Sequence, residues 1–134
     1  MSKVIQQSVT FGAPAAKLFT LYMDARKHAS ATGGPVVVSR KPGSRFSAFG
    51  GGVVGRTLAV VPGRLVVQAW RGGTWPKTDA DSLLILSFAD TPRGGRVDLV
   101  HANVPAHDYG GVKNGWRNYY WKPWKAYLRR AGRQ

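Results

Sequence analysis

Gly115-Trp116-Arg117-Asn118-Tyr119-Tyr120-Trp121-Lys122-Pro123-Trp124 decides how this chain is read. The stretch holds three of the five tryptophans and lies inside a longer helical pattern. Val112, Trp116, Tyr119, Tyr120, Pro123, Trp124, Tyr127, Leu128 and Ala131 recur at the helical period, while Lys113, Arg117, Asn118, Lys122, Lys125 and Arg129 fall on the opposite side. The spacing predicts a helix over residues 110–131 with an aromatic inner face. Trp121 is the one aromatic off that stripe and is expected to face outward. Pro123 is expected to remove a backbone hydrogen bond and disturb the helix. A helix this aromatic needs a large apolar surface to cover it.

The rest of the chain supplies a sheet. Residues 3–11 alternate, with Ile5, Gln7, Val9 and Phe11 on one side, as in a strand with one inward face. Gly12-Ala13-Pro14 ends it and opens a helix carrying Leu18, Phe19 and Tyr22 on one stripe. A second short helix is expected from Asp24 to Ala31, stopped by Gly33-Gly34. From residue 36 to 103 the pattern is short β-rich runs punctuated by Pro42-Gly43, Gly50-Gly51-Gly52, Pro62-Gly63 and Pro92-Arg93-Gly94-Gly95. Such spacing reads as an antiparallel meander of about six strands. The order is strand, two helices, meander, long helix. The expected fold is α+β: a curved antiparallel sheet wrapped around the C-terminal helix, as one domain over residues 1–134.

Composition bounds the chemistry. There is no Cys and no Glu, and all six acidic residues are Asp. Thiolate catalysis and disulfides are therefore excluded. Asp79 and Asp81 are the nearest thing to paired carboxylates, and they share one polar loop. Twenty Lys and Arg give a net charge of +14, spread over the whole chain. Weak, salt-sensitive binding to polyanions is expected from that charge, without any motif for reading a base sequence. No apolar run is long enough to span a membrane, and the N-terminus lacks a signal-like core, so a cytoplasmic protein is expected. Gly50, Gly52 and Gly55 match a dinucleotide-binding glycine pattern in form only, because the residues after them read as strand rather than helix. No cofactor and no metal are expected.

Several ordered phrases resemble a known family. They are Phe11-Gly12-Ala13-Pro14, Pro42-Gly43-Ser44-Arg45-Phe46-Ser47, Gly55-Arg56-Thr57-Leu58 and Arg64-Leu65-Val66-Val67-Gln68-Ala69-Trp70-Arg71. Further on come Leu99-Val100-His101-Ala102-Asn103-Val104-Pro105 and Gly115-Trp116 leading to Tyr119-Tyr120-Trp121. In this order they resemble the START-like (SRPBCC) superfamily, and within it the domain related to the activator of the heat-shock-protein-90 ATPase. The resemblance implies a helix-grip fold with a cavity between sheet and helix. It also implies a chaperone as partner in the case of a surface-acting activator. The eukaryotic activators carry an additional N-terminal domain, for which 134 residues leave no room.

The candidate site follows from strand parity and helix phase. His101 shares parity with Val97 and Leu99 and is expected to face inward. Trp70 lies on the inner face of its strand with Val66 and Gln68. Trp116 and Tyr120 are one helical turn apart on the inner face of the last helix. These four are expected to border one interior cavity for a small apolar or amphipathic ligand, with Trp75 as a lid or rim residue before Pro76. The chain is expected to bind rather than catalyse. His101 is the one histidine expected to be inward-facing and able to titrate near neutrality.

Overall fold

The computed structural model describes residues 2–131. Seven antiparallel strands form one sheet in the order β1-β7-β6-β5-β4-β3-β2. The strands are β1 (Ser2–Phe11), β2 (Val36–Val37), β3 (Arg45–Ala48), β4 (Val53–Val61), β5 (Leu65–Gly72), β6 (Ser82–Thr91) and β7 (Gly94–Pro105). Strands β2 to β7 form the expected meander, and β1 closes back beside β7, placing Ile5 opposite His101 and Val9 opposite Val97. Breaks in register at Lys3/Ile5 and at Thr57/Ala59 bend the outer strands and help curve the sheet. Along β5, β6 and β7 every second side chain is buried, so Val66, Gln68, Trp70, Ser82, Leu84, Leu86, Val97, Leu99 and His101 all face one interior.

Helices α1 (Ala15–Met23) and α2 (Ala25–Thr32) follow β1. The amide of Ala15 donates to Asp90 Oδ1 at 2.9 Å, which caps α1 and ties it to the end of β6. Asp24 caps α2 by accepting from the Lys27 amide, and Gly33 ends it in the left-handed region at φ 87°. Gly95 has no room for a side chain: a Cβ there would stand 2.6 Å from the Ala13 carbonyl oxygen and 2.8 Å from Leu18 Cδ1. The triple glycine turns as expected, with Gly50 at φ 62°, and Gly55 continues within β4.

The C-terminal element runs from α3 (Tyr109–Gly115) through a π-helical segment (Trp116–Trp121) into α4 (Lys122–Ala131). The π segment corrects the helical wheel drawn from sequence. Trp121 is not exposed but 4% accessible, and its indole N–H donates to Gln7 Oε1 at 2.7 Å. Tyr119, placed on the inner stripe by a 3.6-residue period, is 61% exposed. The cause is the wider turn: the Lys122 amide bonds back five residues to the Arg117 carbonyl. That inserts an extra residue and rotates everything after it. Pro123, which has no N–H and crowds the carbonyl four residues earlier, is accommodated by this widening. Trp116, Tyr120, Trp121 and Trp124 thus all face the sheet. Their rings meet Phe11, Tyr22 and Trp70 at centroid separations of 5.7 to 6.5 Å.

Candidate functional site

Two buried polar systems flank the aromatic interior. In the first, Ser82 Oγ donates to the Trp70 carbonyl at 2.6 Å and lies 2.7 Å from His101 Nε2. Trp116 Nε1 lies 3.1 Å from His101 Nδ1. An indole N–H can only donate, so Nδ1 is the acceptor and Nε2 carries the proton. His101 is thereby held neutral, and burial pushes its pKa down to about 3. No carboxylate is among its partners, and both nitrogens are committed within the protein. Its geometry orients Trp116; it leaves no ring nitrogen for a ligand.

The second system was not legible in the sequence. His28 on α2 is fully buried, so His101 is not the one inward-facing histidine. Nδ1 of His28 donates to the Tyr22 carbonyl at 2.8 Å, and Nε2 accepts from the Tyr120 hydroxyl at 3.0 Å. The Tyr22 hydroxyl donates to Gln68 Oε1 at 2.6 Å, and Gln68 Nε2 donates to Thr57 Oγ1 at 3.3 Å. Burial pushes the His28 pKa down to about 4, the backbone bond opposing it, and raises both phenols well above their ordinary range. The chain links α2, the sheet and the terminal helix without a charge.

Against this framework opens a cleft of about 420 Å³ between β4–β5 and the terminal helix, a size in the range of small-molecule sites. Phe49, Trp70, Trp116, Tyr119 and Tyr120 supply its aromatic walls, and Thr74 and Asp108 its polar rim. Gly111 and Gly115, one turn apart on the helix, leave the space that two side chains would occupy. Trp70 is 6% exposed, and its Nε1 is buried with no hydrogen-bond acceptor among the described residues. A buried donor without a partner costs about 1–3 kcal/mol. Two wider depressions, of about 790 and 530 Å³, lie along β1 and the outer face of the terminal helix, and they are basic rather than aromatic.

Residues 12–129 match the family model described as "Activator of Hsp90 ATPase homolog 1-like protein". The chain belongs to this family. It is 28% identical over 121 residues to an uncharacterized protein of Schizosaccharomyces pombe, an overlap of 90% of this chain and 36% of that one. It is 23% identical over 99 residues to the Dictyostelium discoideum protein named activator of 90 kDa heat shock protein ATPase homolog, covering 74% of this chain and 26% of that one. The chain therefore spans about a third or less of the length of these relatives. Among solved structures it is similar to an HSP90 activator from Plasmodium falciparum, with a TM-score of 0.81 at 24% identity and 96% of each chain covered. That likeness establishes the helix-grip fold.

Within this activator-like domain, Trp70, Trp116 and Tyr120 line one cleft. His101 and Trp75 pack against Trp70 at centroid distances of 4.7 and 5.6 Å and are not part of the cleft wall. Trp75 is buried, and its N–H donates to Asp108 Oδ2 at 2.7 Å, bracing the polar rim. Asp79 and Asp81 are apart in function: one pairs with His107, the other with Arg71. Among the described residues, no helix is long and apolar enough to cross a membrane.

Proposed function

We propose that this domain binds a small apolar or amphipathic molecule in the cleft between β4–β5 and the terminal helix. The observation that carries the reading is Trp70, which lines a cleft walled by aromatic rings and whose buried Nε1 has no acceptor among the described residues. A ligand with a flat apolar body and one acceptor oxygen satisfies both properties at once. Trp70, Trp116 and Tyr120 contact it. His101 acts through Trp116, and Trp75 through Asp108, as positioning residues. The domain works in the cytoplasm, and its excess charge adds weak polyanion binding that fades at physiological salt.

The test uses prodan, a neutral naphthyl ketone, and the variant Gly115→Leu. A Cβ at Gly115 meets only the Tyr119 ring, at 3.5 Å, so a larger side chain fills the cleft without a clash at its root. It also removes a helical glycine, which favours the fold by up to about 1 kcal/mol. The wild type is expected to bind prodan with a blue-shifted emission, and Gly115→Leu to lose that signal while keeping its Tm. Unchanged binding in Gly115→Leu removes the cleft as the site.

Membership of the Hsp90-ATPase-activator family favours a second reading, a surface-acting module with a chaperone as partner. It is tested by adding the chain to a heat-shock-protein-90 chaperone and measuring ATP turnover. Stimulation that survives Gly115→Leu supports this reading over the first.

A further inference from the structure

Strand β1 is an edge of the sheet: it pairs with β7 on one side and, among the described residues, with no strand on the other. It is ten residues long, and alternate residues of such a strand turn their N–H and C=O groups away from the paired neighbour. Among the described residues, no backbone bond outside the sheet ladder involves β1. Such an edge is commonly blunted by charged residues on the strand itself. Here β1 carries one, Lys3, near its start.

The cations come instead from the terminal helix, which runs alongside. A groove of about 530 Å³ separates residues 7–9 of β1 from Lys113, Arg117, Lys122 and Lys125. The described ion pairs are Arg71–Asp81, Arg96–Asp98 and His107–Asp79, and none engages these four cations. The carboxylate closest to the strand wall, Asp98, accepts from the Ser8 hydroxyl at 2.6 Å and from Arg96 at 3.0 Å. The width of the groove is also fixed. Trp121 donates to Gln7 Oε1, and Gln7 Nε2 donates to the Lys113 carbonyl at 3.2 Å, fixing helix to strand. Beyond Lys125 the basic line continues with Arg129 and Arg93 around the adjoining depression.

The spacings match an extended acidic chain. Lys113, Arg117, Lys122 and Lys125 are four, five and three residues apart and span about 18 Å along the axis, close to three same-face repeats of a strand. Same-face residues of a strand repeat every 6.6 to roughly 6.8 Å. We propose that this groove docks an extended, acidic segment of a partner protein. The segment adds a strand to the free edge of β1, and its alternate Asp or Glu side chains meet the cations of the terminal helix. This site is independent of the aromatic cleft.

The experiment uses the full chain and a capped peptide of about ten alternating Glu and Val residues, in about 0.15 M salt so that diffuse attraction is screened. Two further peptides carry backbone N-methyl groups on the odd or on the even positions, which removes one set of outward N–H groups and leaves the charge unchanged. Fluorescence anisotropy is expected to show binding of the parent peptide. One N-methylated peptide loses about tenfold or more and the other keeps its affinity, because only one edge of the added strand faces β1. The double variant Lys113→Glu with Arg117→Glu, both on exposed positions, is expected to weaken the parent peptide by about tenfold at unchanged Tm. Equal binding of both N-methylated peptides overturns edge pairing and leaves only charge. A single-stranded oligonucleotide binding more tightly than the peptide at the same salt, and losing that binding in the charge-reversed variant, overturns the proposal in favour of a nucleic-acid surface.

Discussion

Acidification to pH 5 is expected to remove about 4 kcal/mol of folding stability through two histidines alone. His28 and His101 are buried neutral, each with one nitrogen donating and the other accepting. Their folded pKa values are about 4 and about 3, against an ordinary value of 6.5. The unfolded chain therefore takes up two protons as pH falls through 6.5, and the folded chain does not. Stability from this source is complete above the ordinary value and is lost as pH falls from about 6.5 towards 4 for His28 and towards 3 for His101, with a limiting slope near 1.4 kcal/mol per pH unit for each histidine. At pH 5 each has cost roughly 2 kcal/mol, which is a large share of the 5–15 kcal/mol typical of a domain. Stopping at pH 5 keeps the window above the usual aspartate range. The assay is urea unfolding followed by tryptophan fluorescence at pH 7.5, 6.5, 5.5 and 5. Urea is chosen because guanidinium would screen a chain of net charge +14. His28→Gln and His101→Gln keep a donor and an acceptor but cannot titrate, so each is expected to halve the fall. A wild-type stability that stays flat to pH 5, or a fall that persists undiminished in the double variant, refutes the assignment.

Other expectations follow from the same contacts. Trp121→Ala, which removes a buried ring and strands Gln7 Oε1, should cost about 3–5 kcal/mol, whereas Tyr119→Ala should stay within about 1 kcal/mol; the reverse order in urea unfolding would restore a regular α-helix through residues 116–121. Asp90→Ala removes the carboxylate that caps α1 and should cost about 1 kcal/mol, with amide exchange at Ala15 accelerating first.

The alternation that stops at Pro105 and the helical period that begins after it made the layer order legible, because a sheet with one buried face and a helix with one buried stripe leave few arrangements. Strand parity sufficed for Trp70 and His101. The terminal helix defeated simple phase counting at the point where its backbone departs from 3.6 residues per turn, so Trp121 and Tyr119 exchanged places. Pro123 marked a disturbance there, but not its form. His28 escaped notice because α2, Ala-Arg-Lys-His-Ala-Ser-Ala-Thr, reads as a polar helix, with only His28 and Ala31 buried. The orphaned Trp70 N–H is likewise a property of three-dimensional surroundings. Its strand position predicts burial, and nothing local predicts that the acceptors nearby are already taken.

Completion of the Trp70 site by a ligand would register in the indole N–H resonances of the 15N-labelled chain during a prodan titration. Trp75, Trp116 and Trp121 have acceptors within the protein, and Trp124 Nε1 is buried without one and does not line the cleft, so it serves as a control. The Trp70 indole proton is expected to move downfield and exchange more slowly as prodan binds, while Trp124 stays in place. Saturable prodan binding with the Trp70 indole signal unmoved would contradict it.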